Sequence, residues 1–162
     1  MKKLGDYALT FVRLYLGAFN FAAGLNFFVL FLPQPVPADP VGSAYMHATL
    51  ALGLFQFAKG LELVSGLMLI CDVWVPLGLV LLFPVTVTIF IMDTFFADLV
   101  HVRVSGARNL VFHVILFAAY AKYFYPLLRV KAQREPIWKN WREIPVQMGL
   151  KQALKHEGAK NV

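Results

Sequence analysis

Four long apolar stretches, each ended by turn-forming residues, dominate the chain. From Leu9 to Leu32 only Arg13, Asn20 and Asn26 are strongly polar. The run stops at Pro33, Pro35, Pro37 and Pro40, where missing N–H groups and fixed φ cannot continue a helix. Ala44 to Cys71 forms the second stretch. After it, Asp72–Pro76 makes a short connection, and Pro76 suits the first turn of the next helix. Leu77 to Phe96 is the third, with Pro84 as an expected kink, and Leu110 to Leu128 the fourth, introduced by the turn-prone Ser105-Gly106. A spanning helix needs about 20 apolar residues. The pattern therefore predicts an all-α integral membrane protein: a four-transmembrane-helix bundle over residues 1–128, with spans of about 9–32, 44–71, 77–96 and 110–128, and a basic amphipathic C-terminal tail, 129–162. Alternating ten-residue segments of a barrel do not occur. The first apolar run exceeds the 7–15 residues of a signal-peptide core, so it is expected to be retained despite Lys2, Lys3 and the faintly cleavage-like Val36-Pro37-Ala38.

Polar residues inside the stretches fall on helical faces. Arg13, Gly17, Asn20 and Gly24 recur at steps of four, three and four; Gln56, Lys59, Glu62 and Gly66 at three, three and four. Thr86 with Asp93, and Asn109 with His113 and Tyr120, complete the set, which predicts a bundle with a polar centre. At about 1.5 Å per residue, Arg13 lies roughly 6 Å and Glu62 roughly 13 Å from the inner edge, a gap an Arg side chain bridges. Arg13 with Glu62 is the expected ion pair. Lys59, one turn deeper, is expected to share Glu62, contact Asn20 or give up its charge. A second group, His47, Asp93, His113 and Asn26, is expected to converge near the outer edge. Both sets have an architectural reading: a buried network fixing helix register, and ordinary polarity near helix ends. One histidine per helix argues against haem, and no metal ligand set is expected.

Composition narrows the chemistry. Of 162 residues 59% are hydrophobic and 15% charged, with a mean hydropathy of +0.65. A soluble domain carries about 25% charged residues. The single Cys71 excludes an intramolecular disulfide and a CxxC redox pair. Net charge is +6, concentrated after residue 128; ten basic residues flank the two ends and two, Arg103 and Arg108, lie in the loops. That bias places both termini in the cytoplasm. It also makes a lipid surface or protein subunits the expected partners; no nucleic-acid motif accompanies the charge. Ile137, Trp138, Trp141 and Ile144, interleaved with Lys139 and Arg142, predict an interfacial or docking helix between Pro136 and Pro145.

The elements Arg13-x-x-x-Gly17 with Gly24, and Gly60-Leu61-Glu62 through Gly66 to Leu69, resemble the DoxX-like family of small four-helix bacterial and archaeal membrane proteins. The likeness covers about Leu9 to Asp98. It implies a cytoplasmic-membrane subunit of a quinone-linked redox complex, with Arg13, Gly17, Gly24, Gly60, Glu62 and Gly66 carried over by motif. Glu62, Lys59 and Arg13 are the candidate catalytic residues, and His47, Asp93, His113 and Asn26 the candidate cofactor-binding ones, with quinone as the implied cofactor; Lys59, Asp93, His47 and His113 rest on the depth of the polar faces and not on the resemblance. No self-contained redox centre is visible in the sequence, so electrons are expected from a partner. The competing readings are a non-catalytic accessory subunit that stabilises a larger membrane complex, and a small proton-coupled transporter using Glu62.

Overall fold

The structure, a computed structural model, describes residues 2–33, 37 and 39–128. The expected tail helix around Trp138 and Trp141 lies outside the described residues. The elements are α1 (Lys2–Val29), α2 (Pro40–Ala51), α3 (Leu54–Ile70), α4 (Val75–Phe96), α5 (Val100–Ala119), the single turn α6 (Ala121–Phe124) and a 3-10 turn, Tyr125–Leu128. Among the described residues there is no strand. Three helices are long and apolar enough to cross a membrane, or four if the bent pair α2–α3 counts as one span.

That bend corrects the expected continuous second span. α2 and α3 meet at 85°. Gly53 adopts a left-handed φ of 76°, open to glycine without a Cβ clash, and the N–H groups of Leu52 and Gly53 turn back onto the carbonyls of Ala48 and Leu50. Gln56, expected on the polar face, instead donates across the break to the Leu50 carbonyl at 3.2 Å. At its other end α2 is capped by Asp39, whose Oδ1 accepts from the N–H of Val41 at 2.8 Å and Gly42 at 3.2 Å, with Pro40 in the first turn.

The fourth span also moves. α5 begins at Val100, ten residues before the expected start, so Arg103 and Arg108 are helical rather than in a loop. The Ser105-Gly106 pair reads as a turn because Gly favours turns, yet Gly106 serves close packing: a Cβ there would sit 2.7 Å from the Cβ of Asp93 on α4.

α1, α3, α4 and α5 form a closed ring in which each helix packs antiparallel to its neighbours. Arg13 of α1 meets Asp72 beyond the end of α3, and Gly24 meets Lys59 near its start. On α4, Leu79 meets His113 near the end of α5, whereas Asp93 meets Gly106 near its beginning. The start of α1, the α3–α4 turn and the end of α5 therefore share one end of the bundle. α2 sits at the other end against α3 and α4. Leu16, Leu69, Val75, Leu79, Leu82, Val85 and Leu116 form the apolar core. The outer faces are equally apolar, with Phe11, Val64, Leu77 and Val111 exposed, an arrangement suited to lipid contact.

α1 and α3 touch backbone to backbone. A Cβ on Gly66 would meet the Phe21 nitrogen at 2.5 Å, and one on Gly24 would meet the Lys59 carbonyl at 2.7 Å. Such contacts draw helices together without help from water. Gly66→Ala should therefore lower stability by about 1–3 kcal/mol, the usual range for overpacking. Gly60→Ala, where nothing lies within 4 Å, should be neutral or slightly stabilising. Unfolding of both variants in detergent micelles checks this; equal stabilities would refute the close α1–α3 contact.

Candidate functional site

Glu62 lies at the midpoint of α3 and is 1% exposed; Lys59 precedes it by one turn. Spaced i,i+3, the two share a face, and Lys59 Nζ donates to Oε1 at 2.9 Å and Oε2 at 2.8 Å. The ammonium also stands 5.4 Å from the centroid of the Phe55 ring. With two of three N–H groups on Glu62, one remains for another acceptor. Gly24 brings α1 onto the backbone of Lys59 and Leu63.

The pair forms part of the wall of a cleft of about 380 Å³ between α2, α3 and α4, within the roughly 300–1,000 Å³ of small-molecule sites. Tyr45 and Thr49 come from α2, Phe55 and Ala58 from α3, Thr88 and Met92 from α4. The cleft depends on the break at Gly53, because the near-perpendicular α2 contributes Tyr45 and Thr49 to it. The Thr49 hydroxyl is occupied, donating to Tyr45 O at 2.9 Å. The cleft is thus an apolar recess with one internally neutralised ion pair.

The expected Arg13–Glu62 pair is not formed. Arg13 Nη1 donates to the Leu69 carbonyl at 2.6 Å and lies 3.1 Å from Asp72 Oδ1. Depth alone placed Glu62 within reach, but Asp72 takes a left-handed φ of 58° that carries its carboxylate back over the end of α3. Glu62 meanwhile has a local partner in Lys59, so of the three expectations for Lys59 the structure shows the shared Glu62.

The outer cluster does not assemble. His113 is buried far along α5, because that helix starts early. Its Nε2 lies 3.0 Å from the Leu79 carbonyl, an acceptor only, so Nε2 carries the proton and Nδ1 accepts from Thr86 Oγ1 at 2.9 Å. With both nitrogens engaged and Phe83 and Phe117 packed around the ring, His113 staples α4 to α5. His47 is exposed on α2. Asn26 closes the end of α1: its Oδ1 accepts from Leu32 N at 2.7 Å and its Nδ2 donates to Leu32 O. Asp93 alone stays with the chemistry, half-buried against Gly106 and within electrostatic reach of Lys59 and Glu62. Among the described residues no group of His, Cys, Asp and Glu is placed to hold a metal ion.

Ser65 and Tyr15, given no role by the sequence pattern, join the interior together with Arg108 and the polar-face residues Asn20 and Asn109. Ser65 is fully buried. Arg108 stacks 4.9 Å from the Tyr15 ring centroid and donates to Ser105 Oγ at 3.1 Å. Asn20 donates to the Leu16 carbonyl and, at 3.4 Å, to Asn109 Oδ1, joining α1 to α5. The i,i+3 spacing of Ser105 and Arg108 was visible in the sequence, but the assignment of both to a loop hid it.

No protein-family model, curated protein or solved structure matches this chain.

The two ion pairs should respond differently to mutation. Glu62→Gln leaves Lys59 in the interior without its counter-ion and should lower stability by about 3–5 kcal/mol, the usual effect of breaking a buried pair. In a double-mutant cycle Lys59→Met and Glu62→Gln should couple by more than about 0.5 kcal/mol, whereas Arg13→Met and Glu62→Gln should be additive within that margin. Strong Arg13–Glu62 coupling would overturn the pairing described above.

Proposed function

We propose that this chain is an integral cytoplasmic-membrane subunit of a quinone-linked redox complex, holding a quinone headgroup in the cleft beside Lys59 and Glu62. The observation that carries the reading is an ion pair in the wall of a mostly apolar cleft of about 380 Å³. Intramembrane ionisable residues are expensive and mark ligand or proton paths more often than ordinary structure. The resemblance of the Gly60–Leu69 element to DoxX-like proteins supports the same chemistry.

The residues present fit such a headgroup. The free N–H of Lys59 would donate to a ring carbonyl oxygen, Phe55, Ile89 and Met92 would pack on the ring, and Glu62 would hold a proton beside it. A bound quinone supplies two-electron, two-proton chemistry, with electrons arriving from a partner subunit. Asp93, in electrostatic reach of the pair, is the next carboxylate along a proton route from the cleft toward the α2 end. The end carrying Cys71 and the start of α1 faces the cytoplasm on this reading, supported by the excess of basic residues toward both ends of the sequence.

A direct test is titration of the detergent-purified chain with a short-chain quinone, followed by calorimetry. Binding should weaken clearly in Lys59→Met and in Glu62→Gln, and be unchanged in Asp39→Asn, which lies outside the cleft. Absence of binding, or unaltered affinity in Lys59→Met, would reject the quinone reading. Topology is tested separately: the exposed Cys71 should react with an impermeant maleimide only from the cytoplasmic face, and an Asp39→Cys variant lacking Cys71 only from the opposite one. Labelling of both from one side would reject the proposed orientation.

A further inference from the structure

The other end of the bundle holds a second pocket, of about 180 Å³, lined by Leu9, Thr10, Arg13, Asp72, Ala119 and Tyr120. It is separate from the Lys59–Glu62 cleft and carries charges of both signs. Arg13 is 12% exposed and Asp72 62% exposed, so the cation forms the floor and the anion the rim. Only Nη1 of the guanidinium is engaged by the contacts described, with the Leu69 carbonyl and Asp72. A guanidinium offers five N–H groups in a planar fork matched to phosphate oxygens. The Asp72 backbone is left-handed at φ 58°, and Trp74 two residues on is left-handed at φ 51°. Non-glycine residues rarely hold this conformation, and here it keeps the carboxylate over the pocket. Asp72 is the exposed member of the pair, so its carboxylate is open to a second cation from outside.

Depth identifies the occupant. Tyr7, Trp74, Tyr123 and Tyr125 are all exposed at this end of the bundle, and Trp and Tyr favour the headgroup layer of a bilayer. Leu9 and Ala119 supply an apolar side to the same pocket. A simple anion would meet Asp72 and a simple cation would meet Arg13, whereas a zwitterion satisfies both. We infer that this pocket binds a phosphoethanolamine headgroup, with Arg13 on the phosphate and Asp72 accepting from the primary ammonium. A quaternary ammonium has no N–H to give Asp72 and is disfavoured. The headgroup belongs to a phospholipid of the surrounding leaflet, or to the same group free in solution.

Native mass spectrometry of the full chain in mild detergent, with phosphatidylethanolamine, phosphatidylcholine and phosphatidylglycerol of matched acyl chains, tests this. Phosphatidylethanolamine should be retained most strongly. Asp72→Asn should abolish its advantage over phosphatidylcholine, and Arg13→Gln should lose all three. Because Arg13→Gln also removes a contact to the end of α3, Asp72→Asn, at an exposed position, keeps the test valid if the first variant misfolds. Soluble glycerophosphoethanolamine binding as tightly as the lipid would assign the site to a free solute; much weaker binding would assign it to the lipid. Indifference to headgroup in the unaltered chain, or an unchanged preference in Asp72→Asn, would overturn the inference.

Discussion

The backbone contact between α1 and α3 sets the geometry on which both pockets depend. Gly17, Gly24 and Gly66 leave no side chain between the two helices, so they meet at a distance only glycine permits. That contact fixes the rotation of α3. With Gly66 and the Lys59 carbonyl against α1, the Lys59 and Glu62 side chains line the side of α3 that faces α2 and α4. The same contact brings Arg13 to the carbonyl end of α3, where Leu69 O and Asp72 receive it. A cation there also complements the negative end of the helix dipole.

Inside the ring, polar groups are handled by local pairing rather than by a single network. Several buried polar side chains are joined to a nearby complementary atom, whereas Ser65 Oγ, Asn20 Oδ1 and Asn109 Nδ2 have no hydrogen-bond partner among the described residues. Glu62 takes Lys59 on its own helix, His113 takes Thr86 and the Leu79 carbonyl across one interface, and Asn20 takes Leu16 O and Asn109 across another. The consequence for function is a separation of roles. His113 and the two asparagines bind helix to helix, while Lys59–Glu62 borders open space and keeps a donor unspent.

The break at Gly53 adds the remaining wall. Without the bend, Tyr45 and Thr49 would not reach the Lys59 face of α3. Bent by 85°, α2 lies across the end of the bundle, and Gly42 seats it where a Cβ would stand 2.9 Å from Pro37 and 3.4 Å from the Phe96 Cβ. Tyr45 and Thr49 then close one side of the cleft.

The sequence by itself determined that the chain is helical, where its apolar stretches lie, and which faces are thin or polar. Those properties follow from period and side-chain type: Gly17, Asn20 and Gly24 share a face at any tertiary arrangement, and Lys59 and Glu62 are neighbours by i,i+3 spacing alone. Start and stop signals were less secure because one residue type has two uses. Glycine ended nothing at Gly106, where it admits Asp93, yet it broke the helix at Gly53, inside what read as a continuous apolar run. Only the tertiary structure decided the partners. Arg13 went to Asp72 and not Glu62, and His113 to Thr86 and not toward His47 and Asp93. Pairing between helices depends on their rotation, their stagger and the left-handed turn at Asp72, and those are set by packing between segments distant in sequence, which spacing along one helix does not encode.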